Sequence, residues 1–176
     1  MEAAMKLTRP RRLAVLALFT LGVAFNASLS EASAKLTGTG GIQKITLSAG
    51  TVECGEASVS GTGTILKSVT MVLAFKYSKC TFAGEVAKVS VGEYEFDANG
   101  TLAVLYTLVI TSTNNECTIK IAPTGNKDLQ AVKYETKGAK LIETSELTGI
   151  TYTSSGGVCG ASGTNGTYSG SAEIEE

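Results

Sequence analysis

Glu93, Glu95 and Asp97 occupy alternate positions in VGEYEFDANGTLAV, residues 91–104. Carboxylates two residues apart on a strand share one face, about 6.5–7 Å from each other. Such a set could hold a cation, or divide acid and base roles in a hydrolysis. The spacing is wide for one shared ion, and no DxDxDG-type loop accompanies it. Tyr94 and Phe96 fill the opposite face, so the simpler reading is the solvated side of a half-buried strand. The three residues stand as an acidic-face candidate, with no metal site and no catalytic residue assigned.

The rest of the chain narrows the chemistry further. It has no His and no Trp. The first absence removes Ser-His-Asp and Cys-His nucleophiles and every His-containing zinc site. The gaps between Cys54, Cys80, Cys117 and Cys159 are 26, 37 and 42 residues, without the close pairs that a cysteine-only zinc site needs. No phosphate-binding loop is present, and Gly61-Thr62-Gly63 is a lone Gly-x-Gly. No cofactor is expected. Asn99-Gly100-Thr101 and Asn165-Gly166-Thr167 fit the glycosylation pattern, and read more simply as Asn-Gly turns.

The first 34 residues read as a signal peptide. Lys6, Arg9, Arg11 and Arg12 form a basic start, Leu13 to Phe25 a short apolar run, and Ala32-Ser33-Ala34 a small-x-small cleavage site. A retained anchor is the rival reading; the run is short for a membrane span. Residues 35–41, KLTGTGG, read as a flexible mature terminus, and 42–176 as one domain. From residue 35 on there are 11 basic and 14 acidic side chains, scattered without the patch that nucleic acid would require. After export, four cysteines read as two disulfides, and three pairings are open.

Helix signals are nearly absent after residue 34. Apolar residues recur with period two, as in Leu73 and Phe75, Ile119 and Ile121, and Ile150 and Tyr152. Strands are expected near 42–48, 51–60, 64–76, 85–91, 93–98, 101–111, 116–122, 130–136, 147–153 and 167–174. Turn residues separate them, including Ala83-Gly84, Asn99-Gly100, Gly125-Asn126 and Gly156-Gly157. Strand 101–111, apolar on both parities, is expected to be buried on both faces. The apolar phase flips at Gly92, the signature of a bulge or bend. These elements predict an all-β fold, an antiparallel β-sandwich or barrel of about eight to ten short strands stapled by two disulfides.

GTVECGEASVSGTGT, YSKC, EYEF, CTIKIAP and GITYTSSGGVCGASGTNGTYSG, in that order over most of 42–172, resemble a group of uncharacterised secreted proteins of actinobacteria. Such proteins look six-cysteine, with one cysteine just before the EYEF-like strand and one shortly after. Both of those positions lack cysteine here. The resemblance thus implies that the remaining four pair as Cys54–Cys80 and Cys117–Cys159. It also implies an extracellular or cell-envelope location, and supplies no function.

Three functions fit this reading. The first is a non-enzymatic binding or cell-surface structural module, with cell-wall material or a surface protein as partner. The second is a carrier of an apolar small molecule inside a barrel. The third is a hydrolase using carboxylates among Glu93, Glu95 and Asp97.

Overall fold

The computed structural model describes residues 33–65, 70–112, 114, 116–124, 132–156 and 159–176. The expected signal segment up to Ala32, Val69, and the turns around Gly125-Asn126 and Gly157 lie outside the described residues.

Twelve strands run β1 Ala34–Gly40, β2 Gln43–Leu47, β3 Gly50–Gly63, β4 Met71–Phe82, β5 Glu85–Val89, β6 Gly92–Phe96, β7 Leu102–Val104, β8 Leu108–Ser112, β9 Cys117–Ile121, β10 Val132–Lys137, β11 Lys140–Ser155 and β12 Gly163–Glu175. Every pairing is antiparallel. β2, β3, β4, β5, β8, β9, β11 and β12 close on themselves in a ring of eight. Of the two architectures expected, the fold is therefore the barrel. Closure leaves these strands no open edge.

The four remaining strands continue staves of that ring. β1 and β2 lie end to end between β3 and β12. β5 and β6 lie end to end beside β4, and β8 and β7 face them in turn. β9 and β10 share one side of β11. The barrel thus has eight staves, four continuous and four interrupted, and their order around the wall is their order along the chain.

Side chains of one parity point inward and fill the interior. Leu73, Phe75, Phe82, Ile110, Ile119 and Tyr152 are all but fully buried. Burying each such side chain stabilises by about 1.5–3 kcal/mol. Cys54–Cys80 links directly opposed residues of β3 and β4, and Cys117–Cys159 ties the start of β9 to the loop after β11. Both bridges pair as the resemblance implies.

Four expectations need correction. Residues 35–41 are not a flexible terminus: β1 pairs with both β3 and β12. Its glycines are packing requirements, since a Cβ on Gly38 would stand 2.2 Å from the Glu173 carbonyl oxygen. The strand expected at 64–76 is β4, Met71–Phe82. Its inward parity changes at Ser78–Lys79, where Lys79 has φ 54°, in step with a change at Gly55–Glu56 on β3. Strand 101–111 is broken at 105–107, and Tyr106 is exposed. Between the pairs Val89↔Ile110 and Tyr94↔Val104, six steps on one stave face five on the other, so the chain bulges there. The strand expected at 147–153 is 16 residues long and begins at Lys140.

Candidate functional site

The acidic trio sits where the alternation puts it. Glu93 and Glu95 leave the outer face of β6 half-exposed, while Tyr94 and Phe96 point inward. Asp97, one residue past the strand, is committed to the turn. Its carboxylate accepts from Thr70 Oγ1 at 2.6 Å and Thr101 Oγ1 at 3.0 Å. Its carbonyl accepts from the Gly100 N–H. These are the bonds of a strand face and a turn cap. Among the described residues no group of three His, Cys, Asp or Glu side chains could hold a metal ion.

A second set of polar groups lies inside the barrel, running from Gln43, directly opposite Cys54 on β3, to the end away from Cys117–Cys159. On β11 the inward positions are Leu141, Glu143, Ser145 and Leu147. Glu143 is 1 % exposed. Its Oε1 accepts the Ser145 hydroxyl, and its Oε2 has no hydrogen-bond partner among the described residues. All the described lysines are exposed, and the chain's arginines lie in its first 12 residues, so no described cation faces it. Burial with only one donor pushes the carboxyl up to about 7. Such a group keeps its proton inside a barrel because ionising it there would strand a charge.

Four phenols share this interior. Tyr134 lies directly across β10–β11 from Glu143 and donates to the Asp97 carbonyl at 3.0 Å. Tyr77 and Tyr94 share a hydrogen bond of 2.6 Å. Tyr168 donates to Gln43 Oε1, and Gln43 Nε2 is anchored on the Ser171 and Gly41 carbonyls. Burial raises all four phenols, Tyr94 to about 12. The charge of Glu143 contributes to the rise at Tyr134, Tyr168 and Tyr77. Small residues make room for them. A Cβ on Gly92 would meet the Tyr94 hydroxyl at 2.4 Å, and one on Gly170 would meet Gln43 Oε1 at 2.1 Å.

Little space is left between these side chains. A cavity of about 30 Å³ lies among Ile45, Phe75, Tyr94, Leu108, Ile121 and Tyr168, room for a water molecule or two.

The larger concavities are outside. Two depressions of about 360 Å³ each flank the first stave where β1 gives way to β2, and both are floored by Thr39 and Gly40. Glu56, Ser58, Lys76 and Ser78 border one side. Lys137, Ile142, Ser171 and Glu173 border the other. Ile42, 61 % exposed, stands at the same break. The groove carries hydroxyls and a balance of charges, two acidic and two basic side chains. Beyond it, Thr167, Thr46 and Thr51 lie directly opposite one another on β12, β2 and β3.

By architecture the chain is an eight-staved, up-and-down antiparallel barrel. No family model, no curated protein and no solved structure matches it. No helix among the described residues is long and apolar enough to cross a membrane. The two disulfides are consistent with an oxidising compartment.

Sequence patterning anticipated the acidic strand face and missed the interior cluster. The signal was present as Leu141-x-Glu143-x-Ser145-x-Leu147. Polar residues at two of the four inward positions hid its period.

Proposed function

We propose that the protein is a secreted or cell-envelope module that acts by binding or as a structural component, and that it meets its partner with its outer wall. The observation that carries this reading is the contrast in space, about 30 Å³ inside against about 360 Å³ in each half of the outer groove. A carrier of small molecules needs an interior of roughly 300 Å³ or more, so that reading would require the interior cavity to grow about tenfold. The basic and apolar N-terminal segment, the disulfides and the resemblance to secreted actinobacterial proteins support an extracellular place of work. Hydroxyl side chains and balanced charge suit a neutral, hydroxyl-rich partner such as cell-wall polysaccharide.

Sedimentation with insoluble cell-wall material from an actinobacterium tests this. Saturable binding is expected, and Gly41→Lys should weaken it at least tenfold. A Cβ at Gly41 has ordinary room, 3.5 Å from Ser171 Oγ, so the variant fills the groove without disturbing the fold. Thr107→Lys, exposed four staves away across the barrel, should bind as the wild type does. Absence of saturable binding, or equal loss in both variants, would remove the proposal.

A further inference from the structure

Three observations meet at the end of the barrel away from the disulfides. The first is the Glu143 carboxyl, fully buried with Oε2 unpartnered. The second is its partner across β10–β11, Tyr134, whose hydroxyl is held by a neutral backbone acceptor, the Asp97 carbonyl. The third is the seam that this bond helps to close. β10 and β7 have no ladder between them. The fifth and sixth staves meet there through Val132 N–H to the Gly100 carbonyl, 3.2 Å, and Thr124 N–H to the Val104 carbonyl, 3.2 Å. Thr124 Oγ1 also accepts the Val104 N–H.

We propose that Glu143 is a proton-operated latch on this seam. With the proton on, the carboxyl is neutral and the Tyr134 hydroxyl stays on Asp97, so the staves are held together. With the proton off, the carboxylate demands donors. A hydrogen bond to an ionised acceptor is roughly twice as strong as one to a neutral acceptor, so the phenol turns to Oε2 and the Asp97 tie is lost. The proton leaves to solvent and no covalent bond changes.

Among the described residues, the groups facing Glu143 divide as follows. Ser145 already donates to Oε1. Tyr168 is spent on Gln43, which is itself pinned to two backbone carbonyls. Tyr77 and Tyr94 are bonded to each other. No described lysine points inward. Tyr134 and Tyr168 both donate to a neutral carbonyl from strands that pair with β11, but Tyr134 stands directly opposite Glu143 whereas Tyr168 stands opposite Leu147, so Tyr134 is the donor in place. Burial with a single hydrogen-bond donor places the titration of the latch near neutrality. This inference stands apart from the outer-wall reading, because it concerns the interior seam and is read without a partner.

Amide hydrogen exchange on the full chain, corrected for the intrinsic pH dependence, tests it at pH 5.5 and 8.5. In the wild type the Val132 amide should lose at least tenfold in protection between the two, while Ile119, at the disulfide end, holds. Glu143→Gln, nearly isosteric, should keep Val132 protected at both values. Tyr134→Phe should leave it poorly protected already at pH 5.5. Unchanged protection of Val132 in the wild type overturns the latch, as does the same loss in Glu143→Gln. A parallel loss at Ile119 also overturns it, because the proton would then act on the whole barrel and not on the seam.

Discussion

Where the barrel turns at Ser48-Ala49 and Ala83-Gly84, its interior is Leu47, Val52, Phe82, Ile110 and Ile119, with Cys117–Cys159 across one side and Cys54–Cys80 a few residues further in. The one phenol there, on Tyr152, is bonded to Ser48. At the other end the interior holds Tyr134, Glu143 and Ser145, no covalent link, and a seam closed by individual hydrogen bonds. The same wall of eight staves is fixed by covalent and apolar means at one end and by titratable groups at the other. Stability and responsiveness are therefore separable here: the first can be removed at one end, the second at the other.

The disulfide end offers the largest effect. Removing Cys117–Cys159 or Cys54–Cys80 as a double Cys→Ala should each cost about 2–4 kcal/mol of unfolding free energy. The wider loop, closed over 42 residues against 26, should matter more by about 0.4 kcal/mol in a chain-entropy account. Denaturant titration of the two variants measures both. An equal and negligible loss would mean that the apolar interior alone holds this end.

The polar end should show the next largest effect, with the opposite sign. The Glu143 carboxyl binds its proton more tightly in the folded chain, near 7, than at its ordinary 4.5. The folded state therefore retains a proton that the unfolded chain releases, and stability falls as pH rises from about 4.5 to about 7, then levels. The full span is about 3 kcal/mol. Glu143→Gln should erase that slope, matching the wild type near pH 4 and exceeding it at pH 8. Melting curves from pH 4 to 9 give the comparison. A wild type with no falling limb in that window would mean that Oε2 finds a donor on ionisation without cost.

Tyr134→Phe should be smaller. It deletes one partly buried hydrogen bond, to the Asp97 carbonyl, worth about 1 kcal/mol, measured at pH 5.5 where Glu143 is neutral. A loss of the same size from Tyr152→Phe, whose hydroxyl serves Ser48, would place the two ends on an equal footing for hydrogen bonding and leave charge as their difference.

How far this contrast could be read in advance depends on which end is considered. At the disulfide end, Ile119 and Ile121 alternate cleanly with polar residues, and β9 falls at 117–121 within its expected 116–122. At the polar end the alternation survives but its contents change. Glu143 and Ser145 take inward places, so the first half of β11 looks like loop. Gly38 and Gly40 take inward places on β1, so a strand squeezed between two others looks like a linker. On β4 the left-handed Lys79 swaps the parity in mid-strand, and a period-two reading loses the second half. Patterning finds strands whose inward residues are apolar. It fails where the inward side does something besides exclude water, and the candidate interior site is such a place.

The smallest effect concerns the acidic face that first suggested chemistry. Glu93 and Glu95 are half-exposed on the outer side of β6, opposite Ala74 and Val72 on β4, and neither forms a described salt bridge. Replacing either by Gln should change stability by less than about 0.5 kcal/mol, as for most surface positions. Asp97→Ala should cost more, about 1 kcal/mol, because it releases two threonine hydroxyls, of Thr70 and Thr101, at the turn that leads into β7. The ranking separates the roles of three carboxylates that sequence spacing makes equivalent. If all three substitutions are silent, the turn is held by its backbone bonds, Asp97 N–H to Thr101 and Gly100 N–H to Asp97. If Glu93→Gln or Glu95→Gln proves clearly stabilising, the two charges repel across that face, and the outer wall there is strained in a way that a cationic partner would relieve.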